Sequence, residues 1–345
     1  MSRIPVFSLK SGMLFSAIMA MIAVLLMPGA ANAQNLTKAS LRLKWLASAQ
    51  FLGYYVAKEK GWYAAEGLDL TINPGGPNII GENLVGAGTD TFGHAGGAAS
   101  LLQARSKGLP IIGIAMLFQE TPYRLVALPK SGIKDFKQFE GKTISTWFTG
   151  PQFIVQALVK SQGIPIDKVK IQAQAASMEP FLQGQVDIAT VTSYNELQVL
   201  RRAGVKDLQI FNPADVGINL PNEVLIVNET FAAANPKLVQ GFLNASLRGW
   251  VYAINNKKES IDILMKSLPG GNRVDQEDEM EEIPKLMLYG EAKTKGIGYI
   301  DVKALEFTNK FLVDNGVLSN LIDVNKAINL TFWEQVPAAN KIVKQ

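Results

Sequence analysis

The chain reads as an α/β protein of two units joined by two crossings of the polypeptide, and three observations predict it. From Leu41 onward, short apolar strands alternate with amphipathic helical stretches, the pattern of parallel sheets covered by helices. Its 345 residues imply about two domains at roughly 100–200 residues each. A mostly helical tail follows Asn235-Pro236, and its economical place is back on the first unit. The expected boundaries are 34–122 with 229–345 for the first lobe and 123–228 for the second. The crossings then fall near Tyr123 and near Asn228.

Residues 1–33 carry an export pattern. Arg3 and Lys10 precede an almost unbroken apolar run over 13–27, Pro28-Gly29 breaks it, and Ala31-Asn32-Ala33 is a small-x-small cleavage site. The expected mature chain begins at Gln34. The apolar run is about 15 residues, short of the roughly 20 that a spanning helix needs. No Cys stands at the cleavage point to carry a lipid. An exported chain without disulfides fits a Gram-negative periplasm.

In the first unit, residues 41–45 alternate like a strand, and 51–60 have helical spacing that stops at Gly61. Residues 68–72 form the second strand, followed by the turn Pro74-Gly75-Gly76-Pro77-Asn78. A short helix over 82–86, a strand end over 91–94 and a helix over 98–107 lead to the apolar run 111–117, a buried strand. In the second unit the strands are 124–128, 143–147, 169–171 and 187–191. Helices over 134–139, 151–161, 178–183 and 195–203 separate or follow them. Residues 223–227 are the last clear strand. The tail holds helices over 237–255, 259–266, about 275–289, and 301–315.

Composition excludes several chemistries. There are 34 Lys+Arg against 30 Asp+Glu, a formal net charge of +4, and the basic residues form no run, so a nucleic-acid footprint is absent. No Cys and a single His rule out disulfide frameworks and thiolate nucleophiles and run against His-rich metal centres and Ser-His-Asp triads. No phosphate-binding loop or His-Glu-x-x-His occurs, and Gly93-His94-Ala95-Gly96-Gly97 misses the dinucleotide spacing. The acidic cluster over 275–282 lies on a strongly polar helix and reads as a solvated face. No catalytic residue, metal or cofactor is expected.

The candidate site comes from a recurrence. Trp45 with Gln50, Phe118 with Gln119, Trp147 with Phe148, and Tyr194 with Asn195 each follow an apolar strand or sit in the loop after it. If those ends converge, the cleft has flat apolar faces and neutral hydrogen-bonding groups, suited to a planar, nitrogen-rich ring. An anion site would show Arg placed for bidentate contact, and Arg124 is the nearby candidate. His94 ends a strand ahead of three small residues that would let a ligand approach the backbone; a hydrogen-bonded turn His is the other reading. Glu223 either faces the ligand or forms a rim salt bridge. Thr149, in the loop after the 143–147 strand, is included.

Leu43-Lys44-Trp45-Leu46, Ala49 through Ala57, Gly61-Trp62-Tyr63 and Glu66-Gly67-Leu68-Asp69-Leu70 together resemble the opening of solute-binding proteins of ABC importers. The subgroup is the one related to thiamine-pyrimidine synthesis proteins and, more distantly, to nitrate, taurine and alkanesulfonate binders. Pro74-Gly75-Gly76-Pro77, Phe92-Gly93, residues 139–144, Trp147-Phe148, Pro180-Phe181-Leu182 and residues 192–196 extend the likeness over about 41–260. The resemblance implies a type II periplasmic binding protein, two α/β lobes on a two-crossing hinge. A solute is held between the lobes, and the closed form, ordinarily a monomer, docks on an inner-membrane permease. The implied ligand is a thiamine-precursor pyrimidine, with riboflavin or another flavin-like ring as the alternative. The implied contacts are Trp45, Gln50, Tyr54, the turn Gly76-Pro77-Asn78, His94, Trp147, Phe148, Tyr194 and Asn195. Residues 149–152 and 94–97 depart from the family pattern where ligand identity would be set. Eukaryotic relatives make the pyrimidine from their own His with a Cys-rich, iron-using segment. This chain has no Cys, and Ser100 stands where that His would be. An enzyme of pyrimidine metabolism and a periplasmic sensor module are the readings from other classes.

Overall fold

Two five-stranded sheets carry the fold, and each contains one strand running against the other four. The computed structural model describes residues 1–2 and 36–344, so the export segment over 1–33 lies outside the described residues apart from Met1 and Ser2. In the first sheet the strands are β1 (Thr37–Arg42), β2 (Leu68–Asn73), β3 (Phe92–Ala95), β4 (Ile111–Phe118) and β10 (Asn222–Asn228), in the order β2-β1-β3-β10-β4. The second holds β5 (Tyr123–Ala127), β6 (Thr143–Thr146), β7 (Lys170–Ala173), β8 (Ile188–Thr192) and β9 (Gln209–Phe211), in the order β7-β6-β8-β5-β9. β1 is parallel to β2 and β3, while β10 is antiparallel to β3 and β4. Likewise β6 is parallel to β7 and β8, while β5 is antiparallel to β8 and β9.

This corrects two expectations. The sheets are mixed rather than parallel. Each odd strand is the one by which the chain enters a lobe from the other: it starts at the cleft and runs away from it, whereas strands built within a lobe run toward it. The strand at 222–228, assigned from sequence to the second lobe, pairs Val224 with Ala95 and Leu225 with His94 in the first sheet. The return crossing therefore precedes Asn222 instead of following Asn228. The two crossings touch, with Thr121 N donating to Asn219 Oδ1 at 2.8 Å.

The helices that matter for the site are α1 (Leu52–Glu59), α2 (Ala98–Ser106), α3 (Pro151–Ser161), α4 (Glu196–Arg202), α5 (Pro236–Asn255), α6 (Arg273–Met287) and α7 (Val302–Asp314). The tail does return to the first lobe. α5 crosses α1 so closely that a Cβ on Gly53 would lie 2.4 Å from Trp250 Cγ, and one on Gly249 2.0 Å from Gly53 O. Trp250 is fully buried there, in a core that also stacks Phe92 on Phe242 with centroids 3.7 Å apart. β4 does not end the sheet bare: Gly113 N donates to Ala327 O at 2.8 Å, and Asn329 N to Gly113 O at 2.9 Å, covering an edge that would otherwise pair with another chain. α6 and α7 also reach across to α4 and α3 of the second lobe.

Candidate functional site

The direction of each strand decides what it brings to the cleft. Lys44 and Trp45 follow β1, Trp147 and Thr149 follow β6, and Tyr194, Asn195 and Glu196 follow β8. The two crossing strands contribute their amino ends, Tyr123 of β5 and Asn222-Glu223 of β10. Between them lies a narrow cavity lined by Lys44, Trp45, Gln50, Tyr123, Trp147, Thr149, Pro151, Thr192, Tyr194, Asn195 and Glu196.

The floor is a buried polar network on the first lobe. Lys44 Nζ donates to Asn222 Oδ1 at 2.9 Å and Tyr123 OH at 3.3 Å, and forms an ion pair with Glu223 Oε1. Glu223 Oε1 also accepts from Gln50 Nε2 at 2.6 Å, and its Oε2 faces His94 Nδ1 at 2.9 Å. Burial alone would lower the Lys44 pKa, but the charges and hydrogen bonds of Glu223 and Tyr123 together outweigh it and the net shift is upward. Burial likewise pushes the Glu223 carboxyl up, and Lys44 and His94 more than reverse it, so both members of the pair stay charged. Glu223 adopts φ +56, a left-handed conformation unusual for a residue with a side chain, and the four-way network holds it there.

The second lobe supplies the wall. Trp147 meets Trp45 edge to face, centroids 5.4 Å apart, and its indole N–H is fixed on Ala175 O at 3.1 Å. Glu196, the first residue of α4, turns back so that Oε2 accepts from Thr192 N at 2.9 Å and Thr192 Oγ1 at 2.6 Å. Burial raises its pKa. Among the described residues nothing donates to Glu196 Oε1, and the Tyr194 hydroxyl has no protein partner either, so both are open to the cavity. Tyr194 is buried and its phenol is held neutral, with the pKa well above its usual value.

Of the residues singled out from sequence, Trp45, Gln50, Trp147, Thr149, Tyr194 and Asn195 line this cavity. The others lie elsewhere. Tyr54 and His94 are fully buried behind Gln50, packed edge to face at 5.2 Å. Phe118 sits behind Tyr194 at 5.7 Å, and the Gln119 amide is spent on Met116 O and Tyr299 O. The turn Gly76-Pro77-Asn78 supports the chain rather than the cavity: its neighbour Gly75 donates to Trp45 O at 2.9 Å, and Asn78 is exposed. Phe148 is 46% exposed and borders a separate cavity on the other side of Thr149. Glu223 has both oxygens engaged, so it positions Gln50 and Lys44 and does not face the cavity. The space beside Gly96, read from sequence as room for a ligand, is taken by the backbone of Thr149 and Gly150.

Sequence reasoning missed Lys44, Tyr123, Pro151, Thr192 and Glu196, and it misplaced Glu279 on a solvated face. Glu279 is fully buried where α6 meets the second lobe. It accepts from Gln50 N at 2.9 Å and from the Asn195 amide, and burial pushes its pKa up to about 7. The signal was available, since Gln276, Glu279, Met280, Ile283 and Met287 form one helical stripe.

Relatives share this plan. The chain is 28% identical to the riboflavin-binding protein RibY of Chloroflexus aurantiacus over 88% of each chain. It is 26% identical to the formylaminopyrimidine-binding protein of Halalkalibacterium halodurans, covering 70% of this chain and 74% of that one. A 4-amino-5-hydroxymethyl-2-methylpyrimidine phosphate synthase of Legionella pneumophila is 25% identical over 68% of this chain and 74% of its own. Among solved structures, the alkanesulfonate-binding protein SsuA of Xanthomonas axonopodis superposes with a TM-score of 0.67 at 13% identity, covering 85% of this chain and 98% of that one. The fold is that of the periplasmic binding proteins. Residues 48–260, which span the cleft and most of both sheets, match the family model described as NMT1/THI5 like, and the chain belongs to that family.

Proposed function

We propose that the protein captures a small planar heterocycle between its two lobes in the periplasm and hands it to an inner-membrane ABC permease. A thiamine-precursor pyrimidine is the first ligand in this reading, and riboflavin or a flavin-like ring is the alternative. The observation that carries it is the character of the cavity. Two indoles line it, and the groups left open to a ligand include Tyr194 OH, Glu196 Oε1 and the amide oxygens of Gln50 and Asn195, which favour a ring bearing N–H donors. Among the described residues Lys44 is the one cation lining the cavity, and its three N–H groups are already committed to Glu223, Asn222 and Tyr123. Arg124 donates to Thr121 O and Tyr123 O. A sulfonate or nitrate would therefore find no free donor cation here.

Relatives named for binding riboflavin and formylaminopyrimidine support the same class. A binding role is favoured over synthesis because the chain has no cysteine, and Ser100 lies on α2 with its hydroxyl on Gly97 O at 3.3 Å, beside the second cavity. The export-like segment over 1–33 supports the periplasmic placement, and among the described residues no helix is long and apolar enough to cross a membrane.

The test is mass spectrometry of small molecules released on denaturing the purified protein. It is paired with thermal shifts against 4-amino-5-hydroxymethyl-2-methylpyrimidine, riboflavin, taurine and nitrate. A pyrimidine or flavin response is expected. A response to taurine or nitrate alone would overturn the cavity chemistry, and conversion of an added pyrimidine to a new product would overturn the binding role.

A further inference from the structure

The segment after β3 and the loop after β6 meet across the cleft as bare backbone. A Cβ on Gly96 would lie 2.1 Å from Thr149 O, and a Cβ on Gly150 would lie 3.2 Å from Gly96 Cα. Carbon does not approach oxygen to 2.1 Å without a bond, so at this degree of closure position 96 admits glycine alone. Gly96 is not among the residues with positive φ. Its need to be glycine therefore comes from the facing lobe and not from its own turn. Within its own lobe the nearest atom to such a Cβ is Ser100 Oγ at 3.0 Å, on a side chain free to rotate.

The contact sits where it can set the width of the cavity. Thr149, whose carbonyl makes it, lines the candidate cavity and also the separate space bordered by Glu82, Ser100 and Phe148. It forms the partition between the two. The lobes are tied at other points by polar groups that could follow a small shift: Asn195 to Glu279, Arg202 to Asp275 and Asp278, and Lys160 Nζ to Asn315 O at 2.6 Å. Backbone against backbone at Gly96 cannot yield in that way.

We infer that Gly96 is the closure stop of the cleft. The absence of a side chain there sets how near the second lobe comes, and with it how closely Trp147 of that lobe approaches Trp45 at the mouth of the cavity. The second half of this statement rests on the reading of the cavity as the solute site. A methyl group at position 96 forces the Thr149 loop back by about 1 Å to restore contact distance. The indoles, now in edge-to-face contact with centroids 5.4 Å apart, then part, and the cavity they border closes less tightly.

The experiment measures the distance between lobes directly. Because the chain has no cysteine, a Lys206→Cys/Lys258→Cys pair, one exposed position on each lobe, takes spin labels uniquely. Distance distributions are recorded without ligand, with riboflavin, and with 4-amino-5-hydroxymethyl-2-methylpyrimidine. The parent should populate a shortest distance that Gly96→Ala loses, with cooperative melting retained and affinity for the bound probe down about tenfold. Gly96→Ala/Ser100→Ala should behave like Gly96→Ala, because the clash lies between lobes. An unchanged shortest distance in Gly96→Ala, or recovery in the double variant, would overturn the stop. If neither probe binds the parent, the solute reading fails on its own. The probe-free distributions then still decide the stop, and a parent lacking the short population would refute it.

Discussion

The two lobes bring different kinds of group to one cavity. The first lobe supplies a floor whose charged groups are spent on each other: Lys44, Glu223, Gln50, Asn222 and His94 form one buried network, with His94 Nε2 left without a partner among the described residues. The second supplies a wall with groups left over, the Trp147 face, the Tyr194 hydroxyl and Glu196 Oε1. A floor of satisfied charges is rigid and costly to disturb; a wall of unsatisfied groups is where a ligand is read. Substitutions in the floor should therefore register first as stability, and substitutions in the wall first as affinity.

The largest effect tests the floor. Glu223→Gln removes the charge that holds Lys44 ionised in a buried site, and breaking a buried pair from one side costs about 3–5 kcal/mol. Chemical denaturation should show that loss, and Lys44→Met/Glu223→Gln should recover much of it. A loss below about 1 kcal/mol would mean that water reaches Lys44, as at an exposed pair, and the contrast between floor and wall would not hold.

Trp147→Ala is the matching change in the wall. It deletes one aromatic face and the contact with Trp45, and calorimetric titration with the pyrimidine or riboflavin should show affinity down about 10- to 100-fold. Its stability cost should stay well under that of Glu223→Gln. The reverse ranking would mark Trp147 as core and return the ligand to the first lobe. Glu196→Gln is subtler. The amide keeps the shape and can still accept from Thr192, but loses the charge that favours an N–H donor ring, so affinity should fall about tenfold with stability unchanged or slightly improved. Equal affinity would make Glu196 a cap of α4 and nothing more.

How much of this was legible follows the same division. The alternation of strands and helices was readable because Gly and Pro such as Gly61, Gly108-Leu109-Pro110 and Gly184 punctuate it and helices such as 236–255 show a 3.6 period. Sheet membership was not. Val224 to Val227 is apolar on both faces, so nothing in its composition says which sheet it joins or in which direction. Trp45, Trp147, Tyr194 and Asn195 were found because they follow strands that end at the cleft. Tyr123 and Glu196 escaped for opposite reasons: Tyr123 opens a strand that starts at the cleft, and Glu196 resembles any acidic residue in the first turn of a helix. Lys44 looks like a strand-end cation until Glu223, far along the chain, is placed beside it.

The smallest effect concerns the join between floor and wall. Glu279 lies on α6 of the first lobe and accepts from Asn195 of the second and from the Gln50 backbone, with Ser48 close by. Its pKa is raised from 4.5 to about 7, first by burial, with the neighbouring Glu196 adding to the rise and the hydrogen bonds opposing it. A carboxyl with a raised pKa binds more protons in the buried state than in a solvated one, so burial is favoured at low pH. That contribution is complete below about 4.5 and is lost as pH rises through about 7. If opening the lobes hydrates Glu279, affinity for the solute should weaken several-fold between about pH 6 and pH 8. Glu279→Gln should flatten that slope. A slope that persists in Glu279→Gln would place the titrating group away from this junction and overturn the role given to Glu279.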